Sequence, residues 1–121
     1  MALKIVNDEV DGVEVLRLNG RIVVGEETAA LREKVKGLLA EGRKKLVLDL
    51  KDVTAIDSSG LGTLVASYSS AKSAGATLRL CNLGSRNNEL LQMTKLVTVF
   101  EVFNSEEDAV RSFSNSQSAR G

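Results

Sequence analysis

Apolar and polar positions change their period several times along this 121-residue chain, and each change marks an element. Leu3–Val6 and Val13–Leu18 are apolar-rich runs on either side of Asp11-Gly12. That dipeptide suits a tight hairpin, so the two runs predict a pair of antiparallel strands. In the second run Val13, Val15 and Arg17 alternate with Glu14, Leu16 and Leu18, so both faces carry apolar residues. Asn19-Gly20 is a further hairpin signal. It competes with a strand that bends there and continues through Ile22 and Val23, and periodicity leaves both readings open.

From Glu26 to Ala40 the apolar positions Ala30, Leu31, Val35, Leu38 and Leu39 recur at helical spacing, and Gly42 is a natural stop. KLVLDL at 45–50 reads as a strand apolar enough to sit inside a sheet, followed by a turn over Lys51–Ala55. Leu61, Leu64, Val65, Tyr68 and Ala71 then fall on one helical face ending near Gly75. TLRLCNL at 77–83 is another strand, Glu89–Val97 a third, shorter helix, and VFEVF at 99–103 a last strand. SEEDAVRSF opens with Ser105 and Asp108 in capping positions and predicts a short terminal helix. The order β-β-α-β-α-β-α-β-α predicts one α/β domain over 1–113. Its sheet is expected to be mixed, with four or five strands and helices mainly on one side. SNSQSARG has nothing to bury, so 114–121 is expected to be a mobile tail.

Composition narrows the chemistry. The chain has no His and a single Cys, Cys81, which leaves no ligand set for structural zinc and no intramolecular disulfide. Cys81 lies in a strand pattern and is expected to be a small buried residue. Sixteen basic and sixteen acidic residues cancel, and only 3% of residues are aromatic, so no direct nucleic-acid partner is expected. The apolar run at the start breaks at Asn7 and Asp8, unlike a signal peptide. No stretch approaches the roughly 18 apolar residues that span a bilayer, so membrane insertion is not expected and the cytoplasm is the expected location.

One stretch stands apart: IDSSGLG at 56–62, between an apolar strand and a helix. Ser58 or Ser59 can cap that helix by accepting a backbone N–H. Gly60 and Gly62 each cost about 0.8–1 kcal/mol relative to Ala inside a helix, and a cap explains neither. Both would let another backbone or a phosphate approach closely. An enzymatic role fits badly. A nucleophile elbow needs Gly two residues before the serine, where Ile56 and Asp57 stand, and no His is present to act as base. Gly62 is followed by Thr63 with no Lys between, so the stretch is not a P-loop. The serine is therefore better read as a substrate than as a catalyst, and neither catalytic residue, metal nor cofactor is expected.

With LNG at 18–20 and LVLDL at 46–50, IDSSGLG makes the chain resemble the STAS domains of bacterial anti-sigma-factor antagonists, from about Ile5 to Phe113. The resemblance implies a STAS-like fold. It also implies that the serine directly after the Asp, Ser58, accepts a phosphoryl group from an anti-sigma factor with serine kinase activity. A serine phosphatase reverses the step, and only the unphosphorylated form binds the anti-sigma factor, which frees a sigma factor for transcription. Asp57, Ser58, Ser59, Gly60, Leu61 and Gly62 are the expected partner-binding residues, with Asp57 orienting Ser58 or touching the kinase and Leu61 facing either the partner or the core. The chain departs from many relatives at 21–31, where Arg21, Val23 and Val24 replace a more acidic segment. Two other classes stand beside this reading: a non-switching STAS subunit of a signalling or transporter-associated assembly, and a nucleotide-binding protein or enzyme.

Overall fold

Strand β1 (Lys4–Val10) turns through Asp11-Gly12 into β2 (Val13–Ile22), and both turn residues have positive φ, as the hairpin signal requires. Three helix–strand units follow: α1 (Glu26–Ala40) with β3 (Lys45–Ile56), α2 (Ser58–Ser73) with β4 (Thr77–Cys81), and α3 (Gly84–Met93) with β5 (Val102–Phe103). Helix α4 (Glu106–Arg120) comes last. This computed structural model describes residues 3–120, with the side chains of Glu27, Val97 and residues 115–120 outside the described set.

The five strands lie in the order β1-β2-β3-β4-β5, β1 antiparallel to β2 and the remaining neighbours parallel. The sheet is therefore mixed. When successive parallel strands always step in one direction, right-handed crossovers put every connecting helix on the same face. The packing agrees. Leu16, Leu18, Leu46, Leu48, Leu50 and Leu80 form one core with Leu31 and Val35 of α1, Leu64 and Ala71 of α2, and Leu91 of α3. The opposite face carries Val13, Val15, Val47 and Cys81, covered by Ala109, Val110 and Phe113 of α4. Three helices thus lie on one side and one on the other.

Several boundaries differ from expectation. The second hairpin does not form: β2 runs on to Ile22, with register shifts on either side of Gly20 absorbing the bend. Because β2 is long, it pairs Asn19 with Asp52, Gly20 with Val53 and Ile22 with Ile56. That ladder draws residues 51–55, expected as a turn, into β3 despite their polar side chains. Helix α3 starts at Gly84 rather than Glu89, because Asn87 is buried and donates to the Val53 carbonyl at 3.3 Å, so a polar residue occupies an inward position. It stops at Met93, and Lys95 at φ 66° leads into a short 3-10 turn at Leu96–Thr98. Strand β5 keeps only Val102–Phe103 of the expected 99–103, since Phe100 turns into the core under α2 and meets Tyr68 edge-on at 5.4 Å.

Ser105 Oγ accepts the N–H of Asp108 at 3.0 Å and so caps α4 as anticipated. Expected to be short, α4 runs on to Arg120 through most of the expected tail at 114–121. There the side chains of 115–120 and the whole of residue 121 lie outside the described set. Among the described residues, no helix is long and apolar enough to cross a membrane. Cys81 is buried, and burial pushes its thiol up to about 12.

One buried group is left over. Ser67 Oγ of α2 has no hydrogen-bond partner among the described residues. An unsatisfied buried polar group costs about 1–3 kcal/mol, so Ser67→Ala should leave stability unchanged or raise it by about 1 kcal/mol. Urea unfolding of the two proteins reads the difference, and a loss would mean that the hydroxyl is bonded.

Candidate functional site at the start of helix α2

Strands β2 and β3 end side by side, Ile22 opposite Ile56, and Asp57 turns the chain from β3 into α2. Its backbone N–H donates to the Ile22 carbonyl at 3.3 Å. Its carboxylate does two further things. Oδ1 accepts the N–H of Gly60 at 2.8 Å, capping α2, and Oδ2 accepts the N–H of Val24 at 3.0 Å. One side chain therefore ties the first turn of α2 to the segment between β2 and α1. The Gly60 bond, followed by the Val24 bond, holds the Asp57 carboxyl below the usual carboxylate range. Its stabilising effect is present above the ordinary carboxylate pKa and is lost as pH falls through the lowered value.

The cap is thus Asp57, not Ser58 or Ser59. Both serines are exposed on the first turn, outside the capping bond. Asp57 has both oxygens engaged and a depressed pKa, so it makes a poor base toward its neighbour. Among the described residues no cluster of His, Cys, Asp or Glu could hold a metal ion. The exposed Ser58 hydroxyl is sterically open to act as a nucleophile toward a group brought from outside.

The two glycines part company. A Cβ on Gly60 would sit 1.8 Å from the Ile22 carbonyl oxygen, so this position brings helix and strand backbones together. A Cβ on Gly62 would meet nothing within 4 Å, and the residue is exposed. Leu61 is half-buried and packs on the main core, so of the two roles expected for it the core has the contact. Val65, expected on the inward face, is instead 36% exposed. At 3.6 residues per turn Ser58, Gly62, Val65 and Ser69 fall on one narrow stripe, and all four are exposed. Beside the stripe Val24, tethered to Asp57, is 70% exposed. Sequence reasoning missed Val65 as a surface residue, although its spacing of seven from Ser58 held the signal. Asp57, Ser58, Ser59, Gly60 and Gly62 do come together at one helix start.

The contrast between the glycines is measurable. Gly60→Ala should destabilise by about 3 kcal/mol or more, because a backbone carbonyl cannot move aside as a side chain can. Gly62→Ala should gain up to about 1 kcal/mol as a better helix former in open space. Thermal unfolding of both variants checks the pair, and equal effects would contradict the geometry.

Comparisons with known proteins point one way. The STAS domain family matches residues 4–109. The anti-sigma-B factor antagonist of Bacillus subtilis is 36% identical over 81 residues, covering 67% of this chain and 73% of the relative. The anti-sigma F factor antagonist of Paenibacillus polymyxa is 24% identical over 110 residues, 91% of this chain and 94% of the relative. The crystal structure of a Thermotoga maritima protein superposes with a TM-score of 0.82 at 26% identity, covering 89% of this chain and 92% of the other. The chain belongs to the STAS domain family, among its anti-sigma factor antagonists, which are regulators and not enzymes.

Proposed function

We propose that this protein binds an anti-sigma factor through the exposed start of α2, and that phosphorylation of Ser58 switches the binding off. The observation that carries the reading is the division of labour on the first turn. Asp57 supplies the cap and Gly60 the close approach, so Ser58 is left exposed with no structural duty that a phosphate would disturb. The proposed partner is an anti-sigma factor that also acts as an ATP-dependent serine kinase, with a serine phosphatase resetting the switch in the cytoplasm. The contact surface comprises Ser58, Ser59 and Gly62, extended by Val24 and Val65.

The energetics suit a switch. A phosphoserine carries about −1.5 to −2 charges, and at a helix N-terminus the dipole offsets about 0.3–1 kcal/mol of its cost. Exposed to water, that charge is tolerated. Buried in an interface beside the ionised Asp57, it meets a like charge and loses its hydration. A penalty of about 3–4 kcal/mol weakens binding by two to three orders of magnitude.

The test is incubation with the cognate kinase and ATP, phosphosite mapping by mass spectrometry, and binding titrations. Phosphate should appear on Ser58, with thermal stability near that of the unmodified protein and affinity for the kinase down by about two orders of magnitude or more. Ser58→Ala should fold, take up no phosphate and bind constitutively, and Ser58→Asp should bind poorly. Gly62→Ala should weaken binding while stabilising the fold, which separates a contact residue from a structural one. Phosphate on other residues only, or parental binding by both Ser58 variants, would favour a non-switching STAS subunit.

A further inference from the structure

The switch leaves the second face of the sheet unused, and that face is built differently from the first. Val13, Val15, Val47 and Cys81 are buried there under one helix, α4. At the start of α4, Glu106 is gripped by Arg17 of β2, Nε to Oε2 at 2.8 Å and Nη2 to Oε1 at 2.7 Å. Arg17 also reaches Asp8 of β1 at 3.2 Å. Asp49, a buried residue of β3, lines one small cavity together with Arg17 and Glu106. Asp49 Oδ1 accepts the N–H of Lys51 at 3.0 Å and Asn82 Nδ2 of the β4 end at 3.1 Å. Lys51 and Asp52 also line the cavity of about 310 Å³ at this point. Cys81 is a further titratable neighbour, and its thiol stays protonated across the neutral range.

We propose that α4 is a cover that lifts from the sheet as a unit, and that the Asp49–Glu106 carboxyl pair beneath Arg17 is a proton-shared clasp that sets how tightly it closes. Two carboxyls lining one small cavity, one of them buried, cannot both ionise cheaply. With one proton between them, Asp49 donates it to the Glu106 carboxylate, and Arg17 balances the remaining charge. When the proton leaves to solvent, two anions face each other across the joint between β3 and α4.

The directions are opposite for the two groups. Burial, then the contact with Glu106, pushes Asp49 above the usual carboxylate range, while Arg17 holds Glu106 below it. The contribution of Asp49 is present below its ordinary pKa and is lost as pH rises through its raised value. That of Glu106 is present above its ordinary pKa and is lost as pH falls through its lowered value. Closure is therefore tightest between the two, on the acid side, and loosens as Asp49 ionises.

Cys81 reports the opening, because its thiol is covered by α4. Full-length wild type, Asp49→Asn and Glu106→Gln are treated at one neutral pH with excess neutral alkylating reagent, and hydrogen exchange of α4 and β3 amides is followed in parallel. Asp49→Asn keeps a donor toward Glu106 without a charge. At a pH above the raised pKa it should slow labelling by about tenfold or more. Glu106→Gln should speed labelling through loss of the Arg17 ion pair. Wild-type α4 protection, corrected for intrinsic exchange, should fall as pH rises, and that of Asp49→Asn should not. The proposal is overturned if Asp49→Asn labels as fast as wild type, or if α4 and β3 amides exchange only together. Should Glu106→Gln fail to fold, Asp49→Asn and the wild-type pH profile decide.

Discussion

How near α2 comes to the end of β2 governs this end of the sheet. The Ile22 carbonyl accepts from Asp57 N–H and lies where a Cβ of Gly60 would be. A helix this close to a strand leaves no room for a side chain at the third helical position, and it presents the Gly60 N–H to the Asp57 carboxylate. The other oxygen of the same carboxylate then catches Val24, so the following segment takes its course from the same contact. Strand pairing, helix start and loop position are one arrangement here. The exposed hydroxyl of Ser58 is a consequence of it, since the residue before supplies the cap.

The sheet order imposes a second constraint. Strands laid down in one direction with right-handed crossovers send α1, α2 and α3 to the same face, and the opposite face waits for the end of the chain. Val13, Val15 and Val47 must still be buried, and α4 is the element that buries them. The end of this smaller core is polar, with Asp49, Glu106 and Arg17 where an all-apolar design would place branched aliphatics. At the other end Arg79 stacks on Phe113 at 4.3 Å and bonds Ser112 at 3.0 Å. Helix α4 is therefore held by a small apolar patch flanked at both ends by polar contacts, and those contacts respond to charge in a way that the leucine core does not.

The fold was legible where the period was strong. Alternation in β2 announced a sheet apolar on both faces, and the helical repeat of α1 ended where Gly42 stopped it. It was not legible where tertiary pairing overrode local signals. Lys51, Asp52 and Thr54 read as a turn, and only the ladder with β2 makes them strand. Asn87 hid the first turns of α3, because a buried amide bonded to Val53 looks polar in a sequence and apolar in its placement. At the site, the residues to examine were evident from IDSSGLG, but their roles were not. Asp57, Ser58 and Ser59 are all good caps by type. The choice of Asp57 rests on the position of Val24, thirty-three residues earlier, which no local pattern contains.

The two glycines differ in what lies beside them. Gly60 is accounted for by the strand beneath it, so its helix-weakening cost is offset by packing. Gly62 has open space around its missing side chain and makes no demand on the fold. An exposed helical glycine gives up about 0.8–1 kcal/mol relative to Ala, and nothing inside the molecule repays it. The proposed contact surface gives that bare backbone a use outside the molecule, on the stripe that Gly62 shares with Ser58 and Val65. In the proposed switch, a flat strip of helix would let the partner come close enough that the added phosphate charges could not stay in water. In that proposed switch, the same lack of a side chain that weakens the helix would let a single modification at Ser58 oppose docking.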